Sequence, residues 1–143
     1  MTSDSNRRNF LGTAAGAAAF TIVPRHVLGG PNAVPPSDKI TLAYVGVGTQ
    51  GLRELLNLLA APEIQVVAVC DPSKEAIGYR DWNANGLTSQ IRRFLGKNDW
   101  NPTGVIPGGR DVAKDIIDTY YSSQRAGDNF KSCATYADYR ELL

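Results

Sequence analysis

The stretch ITLAYVGVGTQGLRELLNLLAA, residues 40–61, decides the fold. Ile40 to Val47 is a near-continuous apolar run rich in β-branched residues, the pattern of a parallel strand covered on both faces, and it predicts a central strand. Gly46, Gly48 and Gly51 follow as G-x-G-x-x-G, and Leu52, Leu55, Leu56 and Leu59 recur at helical spacing until Pro62 stops the helix. A glycine turn between buried strand and helix directs the free N–H groups of Thr49, Gln50 and Gly51, with the positive end of the helix dipole, at a position suited to phosphate. The three glycines serve different ends: Gly46 permits the tight turn, Gly48 the close approach of a pyrophosphate, and Gly51 the close packing of helix on strand.

Working outward, a second apolar run, IQVVAVCD, leads from Ile64 to Asp71, about twenty residues beyond Gly51. A carboxylate at that strand end can accept both hydroxyls of an adenosine ribose. Asp-Pro-Ser also reads as a helix start with Asp71 or Ser73 as N-cap, and the two roles are compatible. Strand, glycine loop, helix, strand and acid in this order predict an α/β Rossmann-like parallel sheet with flanking helices and a site for a dinucleotide, NAD or NADP. The acid favours NAD, since it repels the extra phosphate of NADP, and Lys74 softens that repulsion.

Residues 74–130 do not read as a strand and are too long for an ordinary connection, so they predict a helical insert plus loop. Ile91, Phe94 and Leu95 mark a short helix in TSQIRRFLG, where Arg92 and Arg93 face a cofactor phosphate, a partner subunit or simply solvent. KNDWNPTGVIPGG is a Gly/Pro/Asn loop, and Val112, Ile116, Ile117 and Tyr120 form the apolar stripe of a further helix. The Tyr120–Tyr121 pair reads as core packing. A short strand around Lys131 to Thr135 and a helix from near Ala137 complete the pattern.

Upstream, MTSDSN, Arg7-Arg8 and a mostly Ala/Gly run from Leu11 to Val23, closed by Pro24-Arg25, have the tripartite layout of a secretory signal. The run is short of the ~20 apolar residues that span a bilayer. The arginine pair ahead of Phe10 and Leu11 resembles the twin-arginine signal used to export folded proteins, although Asn6 replaces the usual Ser or Thr. The alternative, an amphipathic first helix, requires one apolar face, not an Ala/Gly run all round. Segment 1–30 is therefore read as the leader, with its cleavage point open, and 31–39 as a Pro/Gly-rich linker.

Fifteen basic against fourteen acidic residues give a net charge of +1, which supplies no field for nucleic acid. Cys70 and Cys133 read as buried free thiols, not a bridge. His26, the sole histidine, falls in the leader and is a poor candidate for catalysis.

KITLAYVGVGTQGLRELLNLL, VVAVCDPSKEAIGYRDW and CATYADYRELL resemble the N-terminal domain of the Gfo/Idh/MocA oxidoreductases, over about residues 39–143. The insert NGLTSQIRRFLG is similar to that of exported members. The resemblance implies that Gly46, Gly48, Thr49, Gln50, Gly51 and Asp71 contact NAD or NADP, and that the full-length protein moves a hydride to or from a sugar, cyclitol or related polyol, as a homo-oligomer. It also implies a fourth strand, a Glu-Lys-Pro motif and a second domain that do not occur in this sequence, so residues 40–143 are expected to be the first half of the nucleotide-binding domain, with no catalytic residue to assign. Export of a folded protein suits a cofactor that must be bound in the cytoplasm. Two rival readings are a non-catalytic exported nucleotide-binding module, or an inactive gene fragment; a flavoprotein or methyltransferase with a similar glycine loop is a third.

Overall fold

The computed structural model describes residues 34–35, 38–75, 86–101, 105–128 and 130–143. Residues 1–30, read from sequence as a leader and holding Arg7, Arg8 and His26, and part of the 31–39 stretch read as a linker lie outside the described residues. The element order is β1 (Ile40–Val45), α1 (Thr49–Ala60), β2 (Ile64–Cys70), α2 (Gly86–Leu95), α3 (Arg110–Gln124), a 3-10 turn (Ala126–Asp128), β3 (Ala134–Tyr136) and α4 (Tyr139–Leu142). The three strands pair in parallel in the order β1-β2-β3. This is a small Rossmann-like α/β arrangement, incomplete beside the six-stranded form.

Helices α1 and α3 both pack on β2, and α2 packs on both of them, so the three form one layer on one face of the sheet. Successive right-handed crossovers toward the same sheet edge require that placement. The core lies between the layers: Leu52, Leu55, Leu56 and Leu59 of α1, Leu87, Ile91 and Leu95 of α2, Ile116, Ile117 and Tyr121 of α3, and Val66 and Val69 of β2. Both cysteines are buried free thiols, as their sequence context predicts.

Strand β1 is expected to be central in a complete sheet and an edge where the fourth strand is missing. It ends at Val45, not Val47, and among the described residues it stands at the sheet edge with Ile40 and Val45 more than half exposed. The central strand is β2. The register slips between Leu42 and Ala43, which face Val66 and Ala68, so Val67 is left without a partner opposite. The third strand runs from Ala134 to Tyr136, starting later than the Lys131–Thr135 stretch that the sequence predicts. Asp118 explains this: its carboxylate accepts from the Cys133 N–H (2.8 Å) and the Ser132 hydroxyl (3.0 Å), while Lys114 Nζ donates to the Cys133 carbonyl (2.9 Å). Those residues answer to α3 side chains, and ladder pairing begins only at Ala134.

Two further contacts set the frame. Tyr121 Oη accepts from the Val66 N–H at 3.0 Å, satisfying a buried donor in the part of β2 that β3 does not reach. Arg125 donates from Nη1 to the carbonyls of Ala61 (3.2 Å) and Ile64 (3.1 Å) and from Nη2 to that of Pro62 (2.8 Å), placing a cation at the C-terminus of α1. Its Nε pairs with Asp128, whose other oxygen pairs with Lys39 at 2.6 Å, both partners nearly buried.

Candidate functional site

The glycine turn lies at the carboxyl end of the sheet. The Gly46 N–H donates to the Cys70 carbonyl (2.8 Å), continuing the pairing one step past β1, and Gly46 then takes φ +88°, a conformation open to glycine. Gly51, in the first turn of α1, sits so close that a Cβ there would lie 1.9 Å from the Gly46 carbonyl oxygen. Helix and turn are thus in backbone contact.

Gly48 is the N-cap of α1, in extended conformation. No side chain caps the helix, and no acidic residue occupies its first turn. The Gln50 side chain runs along the helix to Glu54 (2.9 Å) and leaves the turn clear. This helix end is therefore an uncapped donor surface with a positive dipole, suited to an anionic group.

Asp71 is 5% exposed, and both of its carboxylate oxygens are engaged. Oδ2 accepts from the Val47 N–H at 2.9 Å, and Oδ1 from the Ser73 N–H at 2.9 Å. The second bond closes an Asx-type turn in place of the expected helix cap, since among the described residues no helix starts at Asp71 or Ser73; the first ties the end of β2 to the glycine turn, a link the sequence does not announce. The carboxylate faces the turn, and a ribose reaching it would use its remaining lone pairs.

A third segment joins these two. The Gly109 N–H donates to the Val47 carbonyl (2.8 Å), the Arg110 N–H to Ser73 (3.0 Å) and the Asp111 N–H to Lys74 (3.0 Å). Arg110 Nη1 donates to the carbonyls of Asp71 (2.9 Å) and Pro72 (2.8 Å). The start of α3 is thereby sealed against the loop after β2, leaving the start of α1 as the uncapped helix end facing the turn. In sequence, Pro107-Gly108-Gly109 reads only as loop, and neither Gly109 nor Arg110 stands out as a site residue. A Gly-Gly pair set directly before a helix is the one signal that points to them.

Arg92 does not face a ligand. Its Nε and Nη2 donate to the carbonyls of Trp100 (2.7 Å) and Asn101 (3.0 Å), holding the turn after α2, while Arg93 stays on an exposed face. Burial pushes the Cys70 thiol pKa upward, with the negative charges of Asp138 and Asp71 adding to it, so this thiol beside the site stays protonated. Among the described residues no cluster of His, Cys, Asp and Glu is placed to hold a metal, and no helix is long and apolar enough to cross a membrane. Two cavities of about 400 Å³ lie elsewhere, one beside Tyr121 and Arg125, the other between Trp100 and the start of α3.

No protein-family model, curated protein or solved structure matches the chain. What the site can do follows from its own geometry: it presents backbone donors to an anion, and among the described residues it offers no activated nucleophile.

Proposed function

We propose that this chain is the nucleotide-binding part of an exported oxidoreductase of the Gfo/Idh/MocA type, holding NAD or NADP for hydride transfer to or from a sugar, cyclitol or related polyol. The observation that carries the reading is the uncapped start of α1 behind a glycine turn at the carboxyl end of a parallel sheet. That is where open α/β sheets bind ligands. The backbone N–H groups at Gln50 and Gly51 would receive the diphosphate, Gly48 would let it approach, and Asp71 would meet the adenosine ribose. The cofactor itself supplies the hydride chemistry. None of the described side chains is assigned a proton-transfer role.

The test is a ligand-observed NMR titration of the whole chain with NAD, NADP and ADP. All three should bind with contacts concentrated on the adenosine diphosphate moiety, and ADP should displace NAD. A folded chain, shown by dispersed amide resonances, that binds none of them would refute the reading.

A further inference from the structure

The peptide of Val47, in the middle of the glycine turn, is held from both sides. Its N–H donates to Asp71 Oδ2 at 2.9 Å and its carbonyl accepts from the Gly109 N–H at 2.8 Å, while its side chain is fully buried among the core residues. The two clamps come from separate segments, the end of β2 and the start of α3. Neither can be replaced freely. A carboxylate at position 71 accepts the Val47 and Ser73 N–H groups together, one on each oxygen. Gly109 has φ +95°, and a Cβ there would lie 2.5 Å from the Lys74 carbonyl oxygen.

We propose that Asp71 and Gly109 are positioning residues that preset the glycine turn for an anion, holding the Val47 peptide in its receiving shape before any ligand arrives. The inference rests on the nucleotide-binding reading and gives Asp71 a role at the phosphate end of the site, beyond any contact with a ribose. The turn joins β1 to α1 with only Gly46, Val47 and Gly48 between them. Fixing the central peptide therefore fixes the approach to the uncapped helix end. Preorganisation of this kind raises affinity by reducing what must be ordered on binding.

The expected effect has an unusual sign. Asp71 is a negative charge beside the place where an anion would sit, so Coulomb's law alone says that neutralising it tightens anion binding. Acting as a clamp, it does the reverse. In Asp71→Asn the amide keeps one acceptor but turns an NH2 group toward the other backbone N–H, and the Val47 or Ser73 bond is lost.

The experiment titrates the whole chain with inorganic pyrophosphate, which has no ribose, and reads affinity from the shifts of folded-state amide resonances, so that unfolded molecules do not enter the value. Asp71→Asn and Gly109→Ala should each weaken pyrophosphate by about tenfold, as expected when charge-assisted or close backbone contacts are lost. Tyr121→Phe, which destabilises the fold away from the site, should leave that affinity unchanged. Asp71→Asn binding pyrophosphate as well as or better than the parent would overturn the clamp while leaving the nucleotide-binding reading intact. A parent chain that binds neither pyrophosphate nor NAD would overturn both. Should the variants not fold, amide hydrogen exchange of the ligand-free parent decides: Val47 N–H must be among the slowly exchanging amides, and rapid exchange there refutes a preset turn.

Discussion

Replacing Tyr121 by Phe removes a single oxygen from the centre of the fold. The ring keeps its stack on Phe130 (4.2 Å between centroids) and its edge contact with Tyr120 (5.6 Å), so packing is almost unchanged. What is lost is the acceptor for the Val66 N–H, at 3.0 Å in the buried middle of β2. The Ile64 carbonyl, to which the hydroxyl donates at 3.4 Å, keeps its bond from Arg125 at 3.1 Å and is not orphaned. The cost is therefore that of one buried unsatisfied donor, about 1–3 kcal/mol. For a domain of this size each kcal/mol lowers the melting midpoint by roughly 4–8 °C, so a fall of about 5–20 °C is expected. Thermal melts followed by far-UV circular dichroism, with urea melts alongside, measure it directly. Tyr120→Phe is the internal control, because the Tyr120 hydroxyl makes no hydrogen bond among the described residues, and its loss should stay within about 0.5 kcal/mol. If the Tyr121 and Tyr120 variants melt within about 2 °C of each other, the Tyr121 hydroxyl is not what satisfies Val66.

Gly51→Ala places a Cβ 1.9 Å from the Gly46 carbonyl oxygen, so α1 must shift away from the turn; a loss of about 1–3 kcal/mol is expected despite the better helix propensity of alanine, and an unchanged urea midpoint would contradict the close contact. Burial pushes the Cys133 thiol from 9.0 up to about 12, with Asp118 adding to it, so the unfolded chain gives up this proton first as pH rises from about 9 toward 12 and stability falls through that window. Cys133→Ala should flatten the alkaline slope of urea midpoints without abolishing it, since Cys70 and Tyr121 are raised in the same direction; an identical slope would refute the assignment. If the proposed export uses the twin-arginine route, which recognises paired guanidinium groups and not merely their charge, replacing Arg7 and Arg8 together by lysine should retain the protein in the cytoplasm, and equal recovery outside the cytoplasm would refute that route.

The strand–turn–helix–strand core is legible in the sequence because each of its signals is local. Apolar runs, three glycines and a proline mark β1, α1 and β2 within a residue or two, and the helical stripes of Ile91 and Ile116 mark α2 and α3. What stays hidden depends on contacts between distant segments. That Asp71 turns its carboxylate on Val47 follows from how the end of β2 meets the glycine turn, and nothing in Cys-Asp-Pro signals it. Gly109 and Arg110 are hidden for the same reason, their partners being in the loops after β1 and β2. Arg92 invites a ligand reading because an arginine pair on a helix looks the same in sequence whether it reaches solvent, phosphate or, as here, the carbonyls of its own following turn.

The Lys39–Asp128–Arg125 ion cluster also bears on the order of events during synthesis. It ties the residue before β1 to the 3-10 turn that follows α3, with Asp128 at its centre, and Arg125 also grips the carbonyls that end α1. As the chain leaves the ribosome at ~5–20 residues per second, β1 emerges well before Asp128, the anchor of the residue that precedes it. Contacts of such long sequence separation slow folding, because a large loop must close before they form. Strand β1 is thus made before the ion cluster that fastens its amino-terminal end can form, an interval set by the synthesis of α1 through α3.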